Sequence, residues 1–484
     1  MYKLLPFAFE RIKTKYFLSN IVGEFCFLSF EAFHEFVQHK LSFNSPLYKD
    51  LKAKHFLADD DINMPIKMLA IKYRTKKSFL KGFTSLHMIV PTLRCNSDCV
   101  YCQVTSRDIK EKQFNMDEAT AKKVVETIFK GPARHIKIEF QGGEPLMNFP
   151  IVRFIIDYSK QLNKIFNKEV QYVICSNLTL MDNAILVYLK KNNVYVSTSL
   201  DGPKNIHDLN RPLRNGKSSY DLFIEKLGMA KAVLGNNKIS ALMTTTNNSL
   251  SNYIDIINEY LKQGFNYIFL RSLNPYGKVI QNRNNIEYDL EAFVAAYKKA
   301  LNYIIEINLR GTYFIEGYAS LLLKRILTPF STGFVDLQSP AGTGISGVIY
   351  NYNGNVYASD EGRMLAEMGD DKFLMGNVTS NTYEELFHSD YLINLIKDSC
   401  LESLPVCATC AYMPYCGADP VRNYVEYGDV KGYGGKTKSC QKNKSVIQYI
   451  FELIDGQNDS VLDVFWSWIT KSPSQTVRII GKSI

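Results

Sequence analysis

Long hydrophobic runs are missing from this sequence. No apolar stretch approaches the roughly 18 residues that a membrane-crossing helix needs, so no membrane association is expected. The start, MYKLLPFAFERIKTKYFL, carries charges throughout and has no small-residue cleavage site, so no signal peptide is read and a cytoplasmic protein is expected. Histidine is scarce, and the 7 present are scattered without metal-ligand spacing. There is no internal repeat and no low-complexity segment. NGKS (215–218) is not a phosphate loop, because Arg211 stands where the first glycine should be. A net charge of +9 is modest for 484 residues, and solubility accounts for it. Lys and Arg interleave with aromatics only in KYRTKKSFLK (72–81), too little to favour nucleic acid.

What is present is an ordinary globular composition, 46% hydrophobic and 22% charged. The chain is too long for one core, so two or three domains are expected. Residues 84–312 alternate strand and helix. The strand candidates are SLHMIVPT (85–92), IKIEFQ (136–141), VQYVICS (170–176), VYVSTSL (194–200), ISALMTTT (239–246) and YIFLRSL (267–273). They read as nearly continuous apolar strands buried on both faces. Helical stretches with three- and four-residue apolar spacing lie between them. Six such units make an α/β fold, a curved parallel sheet or partial (βα)6 TIM-like barrel, with ligand chemistry at the carboxyl ends of the strands.

The other regions differ. Residues 1–83 read as a small α+β module: a hairpin whose turn includes Gly23, a short helix over FEAFHEFVQHKL, a second helix capped by Ser45 with Pro46 at its first position, and a basic linker at 72–81. A winged-helix-like peptide-recognition element and a plain extension packed on the barrel both fit. Residues 313–440, rich in Gly, Tyr, Asn and Asp in their later part, read as a small cysteine-rich domain whose core needs a metal staple. Residues 441–484 read as a tail with one helix, KSVIQYIFELID.

Seven of the ten cysteines fall in two clusters, which in such a chain argue for metal and not for disulfides. Cys26, Cys175 and Cys400 stand alone and read as small buried hydrophobes. The first cluster, CNSDCVYCQ (95–103), holds Cys95, Cys99 and Cys102 directly after the first strand. Three thiols without a fourth ligand would leave one iron of a cubane [4Fe-4S] cluster open, as a catalytic metal requires. Further candidates sit at later strand ends: GGEP (Gly142, Gly143, Glu144, Pro145), SNL beginning Ser176-Asn177, and SLDGPKNIHDLNRP with Ser199 and Arg211. The two glycines of GGEP would let backbone approach a ligand closely. The second cluster, CATCAYMPYC with Cys407, Cys410 and Cys416, is followed at a distance by Cys440. Four thiolates suit zinc or an iron–sulfur cluster equally by geometry.

These motifs resemble those of the radical SAM superfamily. Its CxxxCxxC signature is matched by Cys95, Cys99 and Cys102, with Tyr101 at its aromatic position. The resemblance implies S-adenosyl-L-methionine on the open iron, with Gly142 to Pro145, Ser176, Asn177, Ser199 and Arg211 around it. The second cluster resembles the C-terminal SPASM domain of radical SAM peptide maturases, whose cysteines bind two auxiliary clusters. Here Ser339, Ser359 and Pro420 stand where that pattern has cysteines of the first, while Cys407, Cys410, Cys416 and Cys440 of the second remain. The resemblance therefore implies one auxiliary [4Fe-4S] cluster, with zinc as the alternative.

Asp360, beside Ser359, is the candidate general base; pairing with Arg363 or capping a turn is the other reading. Across nearly the whole chain the likeness is greatest to the His-Xaa-Ser system maturases. It implies a ribosomal precursor peptide as substrate, a leader segment held by residues 1–70, a flavodoxin- or ferredoxin-type electron donor, and a side-chain crosslink as product. Single-residue oxidation or epimerisation is the nearer alternative. A non-enzymatic zinc module binding nucleic acid is the distant one.

Overall fold

The computed structural model describes residues 1–456 and 458–473; the last part of the expected tail, 474–484, lies outside the described residues. Nine strands form the main sheet. Six of them run parallel in spatial order: Leu86–Thr92, His135–Gly142, Glu169–Cys175, Tyr195–Ser199, Ile239–Thr244 and Leu270–Arg271. Helices cross over between them, with Glu118–Lys130 and Phe149–Phe166 serving the first two crossovers. The result is the partial barrel that the alternating pattern predicts, an α/β fold.

The expected character of these strands needs one correction. They are not apolar on both faces. In the second strand Ile136, Ile138 and Phe140 are buried in the main core, while Lys137, Glu139 and Gln141 line an internal cavity. Side chains alternate across a strand, so the outer face packs helices and the inner face is half polar. The sixth candidate is also shorter than expected. Tyr267–Ile268 pairs with Ile315–Glu316 instead, and only Leu270–Arg271 continues the large sheet.

The sheet does not stop at its first strand. Gly347–Tyr350 pairs parallel with Leu86–Ile89 on the other side, and the antiparallel strands Asn355–Tyr357 and Leu374–Asn377 follow. The later Gly- and Tyr-rich segment is thus hydrogen-bonded into the barrel's own sheet.

At the N-terminus, Ala8–Ile12, Lys15–Ser19 and Phe25–Ser29 form an antiparallel sheet, with Gly23 (φ 76°) in the turn between the last two. Ser29 caps helix Phe30–Val37 and Ser45 caps Pro46–Ala53, each accepting a backbone N–H through its hydroxyl. The basic stretch at 72–81 is helical up to Lys76, the end of Asn63–Lys76. Lys77 and Tyr73 then bond Glu402 of the cysteine-rich region. The hairpin meets the same region: Phe17 stacks on Tyr412 at 5.4 Å between centroids, and the Ser19 hydroxyl donates to the Ala411 carbonyl. Among the described residues the tail holds two helices where one was expected. Lys438–Asp455 is joined by Asp459–Thr470, whose aromatic and β-branched residues are weak helix formers and whose Trp468 is fully buried.

Glu316 is fully buried at the end of the barrel. Its carboxylate accepts from the N–H of Leu270 (3.1 Å), the N–H of Ala319 (2.6 Å) and the hydroxyl of Tyr297 (2.6 Å). One side chain therefore ties the sixth strand to the cap of helix Gly317–Leu327. Each buried donor left unpaired costs about 1–3 kcal/mol. Glu316→Ala is expected to destabilise the protein by roughly 3 kcal/mol or more, read as a lowered urea midpoint, and Glu316→Gln by less because an acceptor remains.

Candidate active site

The loop after the first strand carries Cys95, Cys99 and Cys102, and it opens at the carboxyl ends of the strands into a cavity of about 720 Å³ that runs through the barrel to the strand starts at Leu86, Lys137 and Ile239. Burial pushes the Cys95 thiol up, and Cys99 and Cys102 lie near enough to add to it. Burial, its largest cause, pushes Cys99 up to about 11, with Arg211 opposing. The loop is held from several sides. The Arg94 guanidinium donates to Asn115, Ile109 and Met147 at 2.8 Å each. Arg214 donates to the Cys95 carbonyl (3.0 Å), and Asn282 to the Val100 carbonyl (2.7 Å). Lys278 N–H donates to the Cys102 carbonyl (2.8 Å), and a Cβ on Gly277 would stand 2.6 Å from that oxygen.

Gly142 and Gly143 serve this loop. The absence of their side chains lets backbone meet backbone, and both glycines also line the cavity. A Cβ on Gly142 would lie 2.6 Å from Val90 and 2.7 Å from the Thr92 carbonyl, and one on Gly143 would press into the backbone of Leu93 and Arg94. In return Gly143 N–H donates to the Thr92 carbonyl (3.0 Å) and Glu144 N–H to that of Arg94 (2.7 Å). The Glu144 carboxylate is buried and accepts from the Asn177 N–H and Ser176 hydroxyl, both at 2.8 Å. Asn177 reaches on to Asn96 (2.9 Å) and Ser97 (3.0 Å) inside the cysteine loop. Burial pushes Glu144 up, and these donors oppose it.

Arg211 ends the short helix Lys204–Asn210. Its Nη1 donates to the Tyr101 hydroxyl (2.7 Å), which in turn donates to the buried carboxylate of Asp201 (2.7 Å). Tyr101, Gly142, Gly143, Glu144, Ser176, Asn177, Ser199, Arg211 and the three cysteines all line the one cavity; Pro145 does not, and opens the turn Pro145–Asn148 behind it. Asp360 lines it too, with its Oδ1 bonded by Arg363 Nε (3.2 Å) and Nη2 (3.1 Å).

Asp201, Arg214, Gly277 and Asn282 escaped the sequence reading, because each acts through backbone or another side chain; only Asp201 lies in a quoted motif, SLDGPKNIHDLNRP, which could have pointed to it. Cys175, read there as a buried hydrophobe, faces the cavity and donates weakly to Glu139 (3.5 Å).

The second set also comes together. Cys407 is pushed up to about 12 by burial and then by Cys416, Cys440 and Cys410, so the four thiols are neighbours. Cys416 rises to about 11, again mainly through burial. The Tyr412 N–H donates to Cys410 Sγ (3.4 Å) and Asn443 to Cys416 Sγ (3.7 Å). Among the described residues no three Cys, His, Asp or Glu side chains converge closely enough to hold a single metal ion. The three positions without cysteine are absorbed locally. Ser359 caps helix Asp360–Ala366, Ser339 accepts from Leu401 N–H (2.9 Å) and donates to Glu402, and Pro420 begins helix Pro420–Tyr427.

The profile of the radical SAM superfamily matches residues 89–248, from the first strand to just past the fifth. Residues 89–248 form a radical SAM domain. The chain is 27% identical over 358 residues to the cysteine-type anaerobic sulfatase-maturating enzyme of Clostridium novyi, covering 70% of this chain and 88% of that one. Its fold is similar to that of native anSMEcpe with bound AdoMet: TM-score 0.64, 20% identity, 77% of this chain and 98% of the other. It is also similar to Streptococcus suis SuiB bound to precursor peptide SuiA: TM-score 0.53, 14% identity, 91% and 100%.

A radical SAM enzyme takes a [4Fe-4S] cluster and S-adenosylmethionine. The residues present fit such a group. Three thiols share one loop, and two buried polar atoms on the cavity wall, Gln141 Nε2 and Thr198 Oγ1, have no hydrogen-bond partner among the described residues. Among the described residues no helix is long and apolar enough to cross a membrane.

Gly143→Ala is expected to displace the cysteine loop and lower bound iron and sulfide after anaerobic reconstitution. Gly82→Ala, whose Cβ would meet nothing within 4 Å, is expected to leave both unchanged.

Proposed function

We propose that this enzyme modifies a ribosomally made peptide and joins two of its side chains by a carbon-centred crosslink. The observation that carries the reading is the loop of Cys95, Cys99 and Cys102 opening into the strand-end cavity. The named relatives support a peptide substrate: one is a sulfatase-maturating enzyme, and SuiB was solved with its precursor peptide. The likeness to His-Xaa-Ser system maturases favours a crosslink.

When bound at Cys95, Cys99 and Cys102, the cluster and S-adenosylmethionine would supply a radical able to take an unactivated hydrogen atom. The chain's residues do the rest. Ser176, Asn177, Ser199 and Arg211 surround the cofactor, with Arg211 fixed through Tyr101 and Asp201. Asp360 is placed on the cavity wall to take the proton released as the new bond forms, with Arg363 holding its orientation. Cys407, Cys410, Cys416 and Cys440 would hold one auxiliary [4Fe-4S] cluster as an electron acceptor. Residues 1–70 would grip a leader segment, a flavodoxin or ferredoxin would deliver electrons, and the protein would work in the cytoplasm.

Anaerobically purified protein is expected to hold about eight irons per chain; colourless protein rich in zinc would refute the reading. Cys99→Ala is expected to abolish 5′-deoxyadenosine formation. Cys407→Ala is expected to spare that step and stop the product. Mass spectrometry of a co-expressed peptide should register the loss of two hydrogens, whereas an unchanged mass would indicate epimerisation.

A further inference from the structure

A charged compartment adjoins the cavity and plays no part in the scheme above. Its link to the cavity is Arg271, which lines the wall. Asp336 and Glu361 follow two other wall residues, Val335 and Asp360, and both lie within electrostatic reach of Arg271. Asp419, Lys442 and Arg422 complete the group.

Of its three cations Arg422 is already engaged, its Nε donating to Glu426 (2.8 Å); Arg363, outside the group, holds Asp360. Three carboxylates, Asp336, Glu361 and Asp419, then stand against two cations, Arg271 and Lys442. One negative charge is in excess. Burial, with Asp336, Asp360 and Asp419 adding to it, pushes Glu361 up to about 8, so the free protein meets that excess by holding a proton.

The group is also unfinished. Among the described residues the Asp336 and Glu361 carboxylates and the Arg271 guanidinium make no hydrogen bond or ion pair; Asp336 is exposed, and Glu361 and Arg271 are half-buried. Tyr276 is an independent sign. The residue is 1% exposed, and its hydroxyl lies among Asp419, Glu361, Arg422 and Glu426 with no hydrogen-bond partner among the described residues. A buried hydroxyl left unpaired is costly, and a bound polar group would satisfy it.

We propose that this compartment binds a cationic side chain of the substrate peptide, an ammonium or a guanidinium, with Asp336 and Glu361 as its carboxylate ligands and the Tyr276 hydroxyl as a further acceptor. The cation would replace the proton on Glu361 and leave the compartment neutral. Its place beside the cavity would hold the peptide while a nearby residue reacts at the cysteine loop. The inference rests on the peptide-modifying reading and names what part of the peptide is recognised.

The test uses the reconstituted enzyme and three probes, the N-acetyl amides of lysine, norleucine and glutamate, with affinity measured by calorimetry. The lysine probe is expected to bind roughly tenfold or more tighter than norleucine, and glutamate no better than norleucine. Asp336→Asn and Glu361→Gln, checked for native iron content, are each expected to shrink that margin. Equal affinity for lysine and norleucine, tighter binding of glutamate, or a margin unchanged in both variants would overturn the proposal. S-adenosylmethionine cleavage, measured separately, distinguishes the failures. Cleavage without lysine discrimination removes the compartment alone, whereas absence of cleavage removes the enzymatic reading.

Discussion

The backbone contact between residues 92–94 and 142–144 is the constraint on which the site depends. A loop rich in cysteine has no regular structure to fix it, and thiols cannot be held in place by packing alone. Two glycines bring the end of the second strand against the first loop so closely that amides bond directly to the carbonyls of Thr92 and Arg94. Glu144 then passes the constraint on to Ser176 and Asn177, and Asn177 returns it to Asn96 and Ser97. Loops from three successive strands thus form one hydrogen-bonded body, which is what a reactive centre needs from its scaffold.

Around that body the cavity is polar on one side only. Strand alternation places Lys137, Glu139 and Gln141 inward and Ile136, Ile138 and Phe140 outward. The outer face supplies folding stability through helix packing, and the inner face is free to carry chemistry. The same division appears at Asp360, Glu361 and Arg363, where three neighbouring charged residues serve a cavity wall, a compartment and a buried clamp.

Much of this was legible in the sequence, and the reasons differ from place to place. The six strand positions could be read because alternation with helices leaves a period that survives individual substitutions. The cysteine loop was legible because its spacing carries the chemistry itself. The hairpin and the caps at Ser29 and Ser45 follow from local turn and cap preferences. By contrast, the polar inner faces were misread as apolar, because mixed strands such as IKIEFQ were weighed by average character and not by alternation. That Gly142 and Gly143 also admit the backbone of residues 92–94 was not legible, because a sequence does not say which neighbour comes close. Gly277 and Asn282 act on the cysteine loop from far along the chain, and no local pattern marks such residues; Asp201 lies in the same stretch as Ser199 and Arg211, but nothing local pairs it with Tyr101. The helix Asp459–Thr470 depends on tertiary burial of Trp468 and not on propensity.

The strand Gly347–Tyr350 covers the side of Leu86–Thr92 that would otherwise be the outer margin of the parallel sheet. An uncovered strand of that apolar composition is a template for intermolecular pairing and aggregation. The barrel therefore cannot be cut out of this chain as a stable fragment ending near residue 312. Its own first strand would be left sticky, and the cysteine-rich region acts as the barrel's guard as well as its neighbour.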